Sequence, residues 1–166
     1  MKVFTAVLLL SAACLAQDKA APANPLVAEA RTRYNAVKNN ILKAAESMPE
    51  ESYSFSPTKE ERPFLAVAAH VADAQTGTCA AVKGEQKKGD AGAKKTKAEL
   101  LEALKASFDL CDAAFDSLTD ASATAINNGR SNLGRMWGNI GHDMEQYAIL
   151  AAYMRQKGVK PPSAQN

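Results

Sequence analysis

Histidine occurs only twice in this 166-residue chain, tryptophan once and cysteine three times. Neither a Gly-x-Ser-x-Gly elbow nor a phosphate-cradling P-loop pattern appears, so nucleophilic serine chemistry and nucleotide hydrolysis lose their usual carriers. Aromatic residues make up 6% against 46% hydrophobic residues in all. That shortage argues against a β-sandwich and leaves a core built largely from Ala, Leu, Val and Met, which suits close-packed helices. A formal net charge of +2 excludes the strongly basic footprint of a nucleic-acid binder. The apolar run from Val3 to Leu10 is too short to cross a membrane.

That run has another reading. Lys2 before it and Cys14-Leu15-Ala16 after it give residues 1–16 the pattern of a secretory signal peptide, cleaved before Gln17. Ser11-Ala12-Ala13-Cys14 also approximates a lipobox, with Leu10 one place early, so membrane attachment through a lipidated Cys14 is the lesser alternative. Either route predicts a secreted or periplasmic domain, where disulfides persist. Residues 17–24 read as a flexible lead and 159–166 as a disordered tail, leaving one domain over 25–158.

Within that domain the spacing predicts four long helices. Asn24 as N-cap and Pro25 as first helical residue open the first, and Leu26, Ala30, Tyr34, Val37, Ile41 and Ala45 recur at helical spacing until Met48-Pro49. A connection follows in which Tyr53, Phe55 and Pro57 alternate with serines as buried anchors. The second helix runs from Phe64 to about Lys83. Residues 84–95, GEQKKGDAGAKK, carry Gly and Lys and no apolar anchor. They read as a solvated crossover, with a surface for anionic partners as the alternative. Thr96 and Glu99 form a capping box for the third helix, which ends near Leu118; the fourth spans about Ser131 to Lys157 and stops at Gly158. The predicted fold is all-α, a four-helix bundle.

Cys79 and Cys111 are the cysteines well inside the domain, and outside the cytoplasm they are expected to bond. They lie at similar depths in the second and third helices. At ~1.5 Å per residue they are level if those helices run parallel, and roughly 15 Å apart if antiparallel, beyond the ~7 Å limit for a disulfide. The bond therefore implies parallel second and third helices. The 12 residues 84–95 span up to ~40 Å and suffice for the return.

His70 lies midway along the second helix and His142 midway along the fourth. On the fourth, Asn139, His142, Gln146, Ile149 and Tyr153 form one seam, and Met136, Ile140, Met144, Tyr147, Ala151 and Met154 another. The polar seam needs partners: either a ligand or an internal network of Asn139, His142 and Gln146.

The segments Ala69-His70-Val71-Ala72-Asp73-Ala74-Gln75, Tyr53-Ser54-Phe55-Ser56-Pro57, Gly141-His142-Asp143-Met144-Glu145-Gln146-Tyr147 and Tyr153-Met154-Arg155-Gln156-Lys157-Gly158 resemble the DinB-like superfamily. The resemblance implies up-down-down-up topology, which agrees with the cysteine argument. It also implies a divalent metal, zinc or nickel, on three histidines. His70 and His142 match two of those positions, and Gln146 stands at the third. An amide oxygen is a weaker donor than imidazole, so low metal occupancy is expected. Asp73, Asn139 and Glu145 are the candidates to support the ligands from behind. The functional expectation is a small-molecule or protein binder, with a second copy of the chain as one candidate partner. The alternative is a metal-dependent enzyme of thiol-transfer or hydrolysis type using His70 and His142.

Overall fold

The computed structural model describes residues 22–165. The signal segment, Cys14 and most of the 17–24 lead lie outside the described residues. The elements in chain order are α1 (Pro25–Ser47), α2 (Phe64–Val82), α3 (Lys97–Asp116), a short α4 (Asp120–Thr124), strands β1 (Ile126–Asn127) and β2 (Arg130–Ser131), and α5 (Asn132–Gln156). The long helices α1, α2, α3 and α5 form the bundle.

Their directions follow from side-chain pairs. Arg31 meets Asp116 and Glu46 meets Lys105, so α1 and α3 run antiparallel. Tyr153 reaches the Arg62 carbonyl while Gln75 reaches Asp143, so α2 and α5 are antiparallel. The Cys79–Cys111 disulfide, with Cα atoms 5.0 Å apart, ties α2 to α3 level and parallel. The result is up-down-down-up, as the cysteine positions require.

Most of the aromatic side chains among the described residues are buried, Trp137 at 39% exposure being an exception. Tyr34, Phe64, Phe108 and Phe115 are among the largest fully buried side chains. Tyr34 stacks at 4.9 Å from Phe115 and donates its phenol proton to the Phe108 carbonyl at 2.9 Å. Full burial of each such ring stabilises by about 1.5–3 kcal/mol. The centre is therefore more aromatic than the composition suggests, while Ala, Leu, Val and Met fill around it.

Several local expectations change. Asn24 does not cap α1 with its side chain; the Asp120 carboxylate does so from across the bundle, accepting from the Leu26 and Val27 amides at 3.1 and 3.0 Å. Asn24 instead accepts from the Asp120 amide. The Thr96/Glu99 capping box forms as expected. Tyr53 is buried and Phe55 partly so, but Pro57 is exposed. The 84–95 crossover does have an anchor: Ala91 is buried, and the Asp73 carboxylate accepts from the Ala91 and Gly92 amides at 2.8 and 3.2 Å. Gly89 permits this approach, since a Cβ there would come within 2.6 Å of Asp73 Cα.

The expected disordered tail is ordered through residue 165. Pro161 and Pro162 are buried, and the Tyr147 hydroxyl donates to Ser163 Oγ at 2.8 Å. Proline loses little entropy on ordering and carries apolar surface, which makes this end an economical seal for the bundle.

Candidate functional site

The polar interior lies between α2 and α5. Antiparallel packing brings His70 opposite His142, with Nε2 atoms 3.0 Å apart and rings edge to face at 4.9 Å between centroids. The His142 ring is 25% exposed and its neighbour Asp143 is fully buried. His142 Nδ1 lies 3.2 Å from Asp143 Oδ1. We assign the proton of that contact to Nδ1, because an ionised carboxylate only accepts. His142 Nε2 then offers its lone pair, and His70 Nε2–H donates to it.

Asp143 is the hub. Its Oδ2 accepts from Gln75 Nε2 at 2.6 Å and from Asn139 Nδ2 at 3.3 Å, and Asn139 Nδ2 also donates to Gln75 Oε1 at 2.9 Å. Every neighbour of the carboxylate is a donor, so the charge is answered from three sides, which is the condition for tolerating it in the interior. Burial pushes the Asp143 carboxyl above the usual range, and the His142 contact pulls it back. Burial is also the main reason His70 titrates below the ordinary imidazole value, reinforced by the neighbouring Arg62 and His142 and opposed by Asp73.

The disulfide lies directly beneath this network. Cys111 Sγ rests against Gln75 Oε1, and Cys79 Sγ is 3.7 Å from the same oxygen. The crosslink thus buttresses the glutamine that holds Asp143.

The residues singled out from the sequence fare unequally. His70 and His142 converge. Asn139 joins the network behind them. Gln146 is 4% exposed and its Oε1 has no hydrogen-bond partner, so the expected Asn139, His142 and Gln146 network does not form as such. Asp73 faces the crossover and spends its oxygens on Ala91 and Gly92 rather than on an imidazole. Glu145 is exposed on the outer side of α5 and supports nothing in the site. Met144, expected in the apolar seam, is 58% exposed. Gln75 and Asp143 were missed. Asn139, Asp143 and Gln146 keep the same helical rhythm as Asn139, His142 and Gln146, so periodicity alone could not choose which of residues 142 and 143 points deeper.

Among the described residues no group of three or more His, Cys, Asp or Glu is placed to hold a metal ion. Asp143 is near, but its carboxylate engages the Nδ1 edge of His142, the side away from His70.

Fold and site together define a class: a four-helix bundle with parallel central helices and an interhelical histidine pair facing across α2 and α5. A DinB superfamily model matches residues 33–150, and the chain belongs to that superfamily. Its fold is similar to the crystal structure of a DinB-like protein from Bacillus cereus, with a TM-score of 0.67 and 18% identity over 80% of this chain and 93% of that one. No curated protein matches the chain.

Proposed function

We propose that this chain is an exported small-ligand-binding bundle whose His70–His142 pair contacts the ligand without a tightly held metal. The observation that carries the reading is the donor set. Two imidazoles are oriented and mutually hydrogen-bonded, and the third position is Gln146, an amide with a buried, unpartnered Oε1. Two histidines and an amide fall short of the three-ligand sets that hold zinc firmly, and the acid of the site is committed to orienting His142. An orphaned buried carbonyl-type oxygen costs about 1–3 kcal/mol, so Gln146 stands in the set as an unsatisfied acceptor rather than a metal donor. The buried Cys79–Cys111 bond supports export, since such bonds persist in oxidising compartments.

A second reading, a divalent-metal-dependent enzyme of thiol-transfer or hydrolysis type, is favoured by the convergence of the two Nε2 atoms. Two imidazoles on one zinc at ~2.0–2.1 Å stand roughly 3.3 Å apart, close to the observed separation of 3.0 Å. Elemental analysis of the full chain, purified without chelator, separates the readings. Substoichiometric zinc or nickel is expected, rising in Gln146→His; one firmly bound metal per unmodified chain would overturn the first reading.

A further inference from the structure

A cavity of about 500 Å³ opens beside His142 between α2 and α5. That volume suits a small organic molecule. Thr78 of α2 and Gly138 of α5 form part of its walls, and two arginines, Arg130 and Arg135, line its mouth.

Arg130 is placed by the β1–β2 hairpin. The turn residues Asn128 and Gly129 both have positive φ, 52° and 75°, and the pairing sets Asn127 opposite Arg130. This is the turn chemistry an Asn-Gly pair supplies for a two-residue hairpin. The arginine therefore stands at a set point immediately before Ser131, whose side chain caps α5 by accepting from Gly134 N. The guanidinium lies across Gly138, where a Cβ would sit 3.7 Å from Nη2. Arg135 projects from the first turns of α5 into the same space.

Neither arginine enters an ion pair among the described residues. The carboxylate on the cavity wall, Asp73, has both oxygens committed to the crossover amides. The first turn of α5 contains no acid. Two cations at the positive end of a helix repel its dipole, so their placement is unfavourable for the empty fold and favourable for a bound anion.

We infer that this cavity seats a small organic anion, a carboxylate or phosphate ester, with its charged group between Arg130 and Arg135 and its body against the His142 ring. The planar guanidinium fork matches both headgroups. The inference rests on the proposed role of the histidine pair as a ligand contact and adds the chemical class of the ligand.

The test titrates isotope-labelled full chain with phenyl phosphate, benzoate and neutral benzyl alcohol, following amide shifts by NMR. Phenyl phosphate or benzoate should shift Thr78, Gly138 and His142, the tighter of the two identifying the headgroup, and benzyl alcohol should bind far more weakly. Arg130→Ala and Arg135→Ala should each weaken the anion about tenfold, the loss of one charge-assisted contact. Arg135→Lys should recover only part, and added salt should weaken binding. Both arginines are free of ion pairs among the described residues and oppose the dipole of α5, so their Ala variants should melt at or slightly above the parent. Failure of both anions to bind, anion affinity unchanged in the double arginine variant, or benzyl alcohol binding as well as the anions would overturn the inference. His142→Ala separates it from the reading beneath. Arginine-dependent binding unmoved by His142→Ala keeps the anion seat and removes the histidine contact. Neutral binding lost in His142→Ala does the reverse.

Discussion

Reducing the Cys79–Cys111 bond perturbs stability without deleting an atom of packing, so its effect can be worked out from the position of the crosslink. The two residues are 32 apart in sequence. In the chain-entropy model, closing a loop of that length in the unfolded state removes about 12 cal/mol/K, or about 3.7 kcal/mol at 25 °C. For a domain of this size each kcal/mol moves Tm by about 2–4 °C, so reduction should lower Tm by about 7–15 °C. The assay is urea and thermal unfolding by far-UV circular dichroism on the same preparation, oxidised and reduced, with mass mapping to establish the bond. The urea m-value should also rise on reduction, because the released chain exposes more surface when unfolded. The folded site should change little, since a Cys111 thiol can donate to the Gln75 Oε1 that its sulfur already touches. Equal Tm values in the two states, with the bond shown to be present and then broken, would refute the entropic reasoning. Free thiols at both positions in the unreduced protein would remove the crosslink itself.

Other expectations follow from the buried network. Asp143→Ala strands the donors of Gln75, Asn139 and His142 in the interior and should cost about 3 kcal/mol or more, read as a fall in urea midpoint; a loss below about 1 kcal/mol would mean that water replaces the carboxylate. The pH dependence has a definite sign at His70, whose folded value is depressed below 6.5. Its stabilising contribution is present above 6.5 and lost as pH falls through the folded value, because the unfolded chain takes up the proton first. The urea midpoint should therefore decline below pH 6.5, and His70→Gln should flatten that part of the profile; an identical decline in the variant would assign it to other groups.

The helices were legible because each carries its own instructions. Pro25, the Thr96/Glu99 box and Gly158 act within a turn or two of themselves, and the apolar rhythm of α1 and α3 marks a buried stripe whatever it packs against. Even the chain directions could be read, because a disulfide tolerates so narrow a Cα separation that two cysteines at equal depth require parallel helices. The convergence of His70 and His142 came through the resemblance of short motifs around both.

The rest depended on partners distant in sequence. Asp143 becomes the hub only when Gln75, 68 residues away, donates to it, and Asp73 turns from the histidines because the crossover amides reach it first. Asp120 capping α1 and the prolines sealing the tail obey the same logic: a short polar or apolar group acts on whatever the fold brings within about 3–4 Å. Arg130 and Arg135 are ordinary surface residues until the hairpin and α5 aim them into one cavity. Local geometry, set by backbone preference and side-chain period, was determined by the sequence alone. Which of the polar groups share an interior was decided by tertiary packing, because burial and hydrogen bonding act through space rather than along the chain.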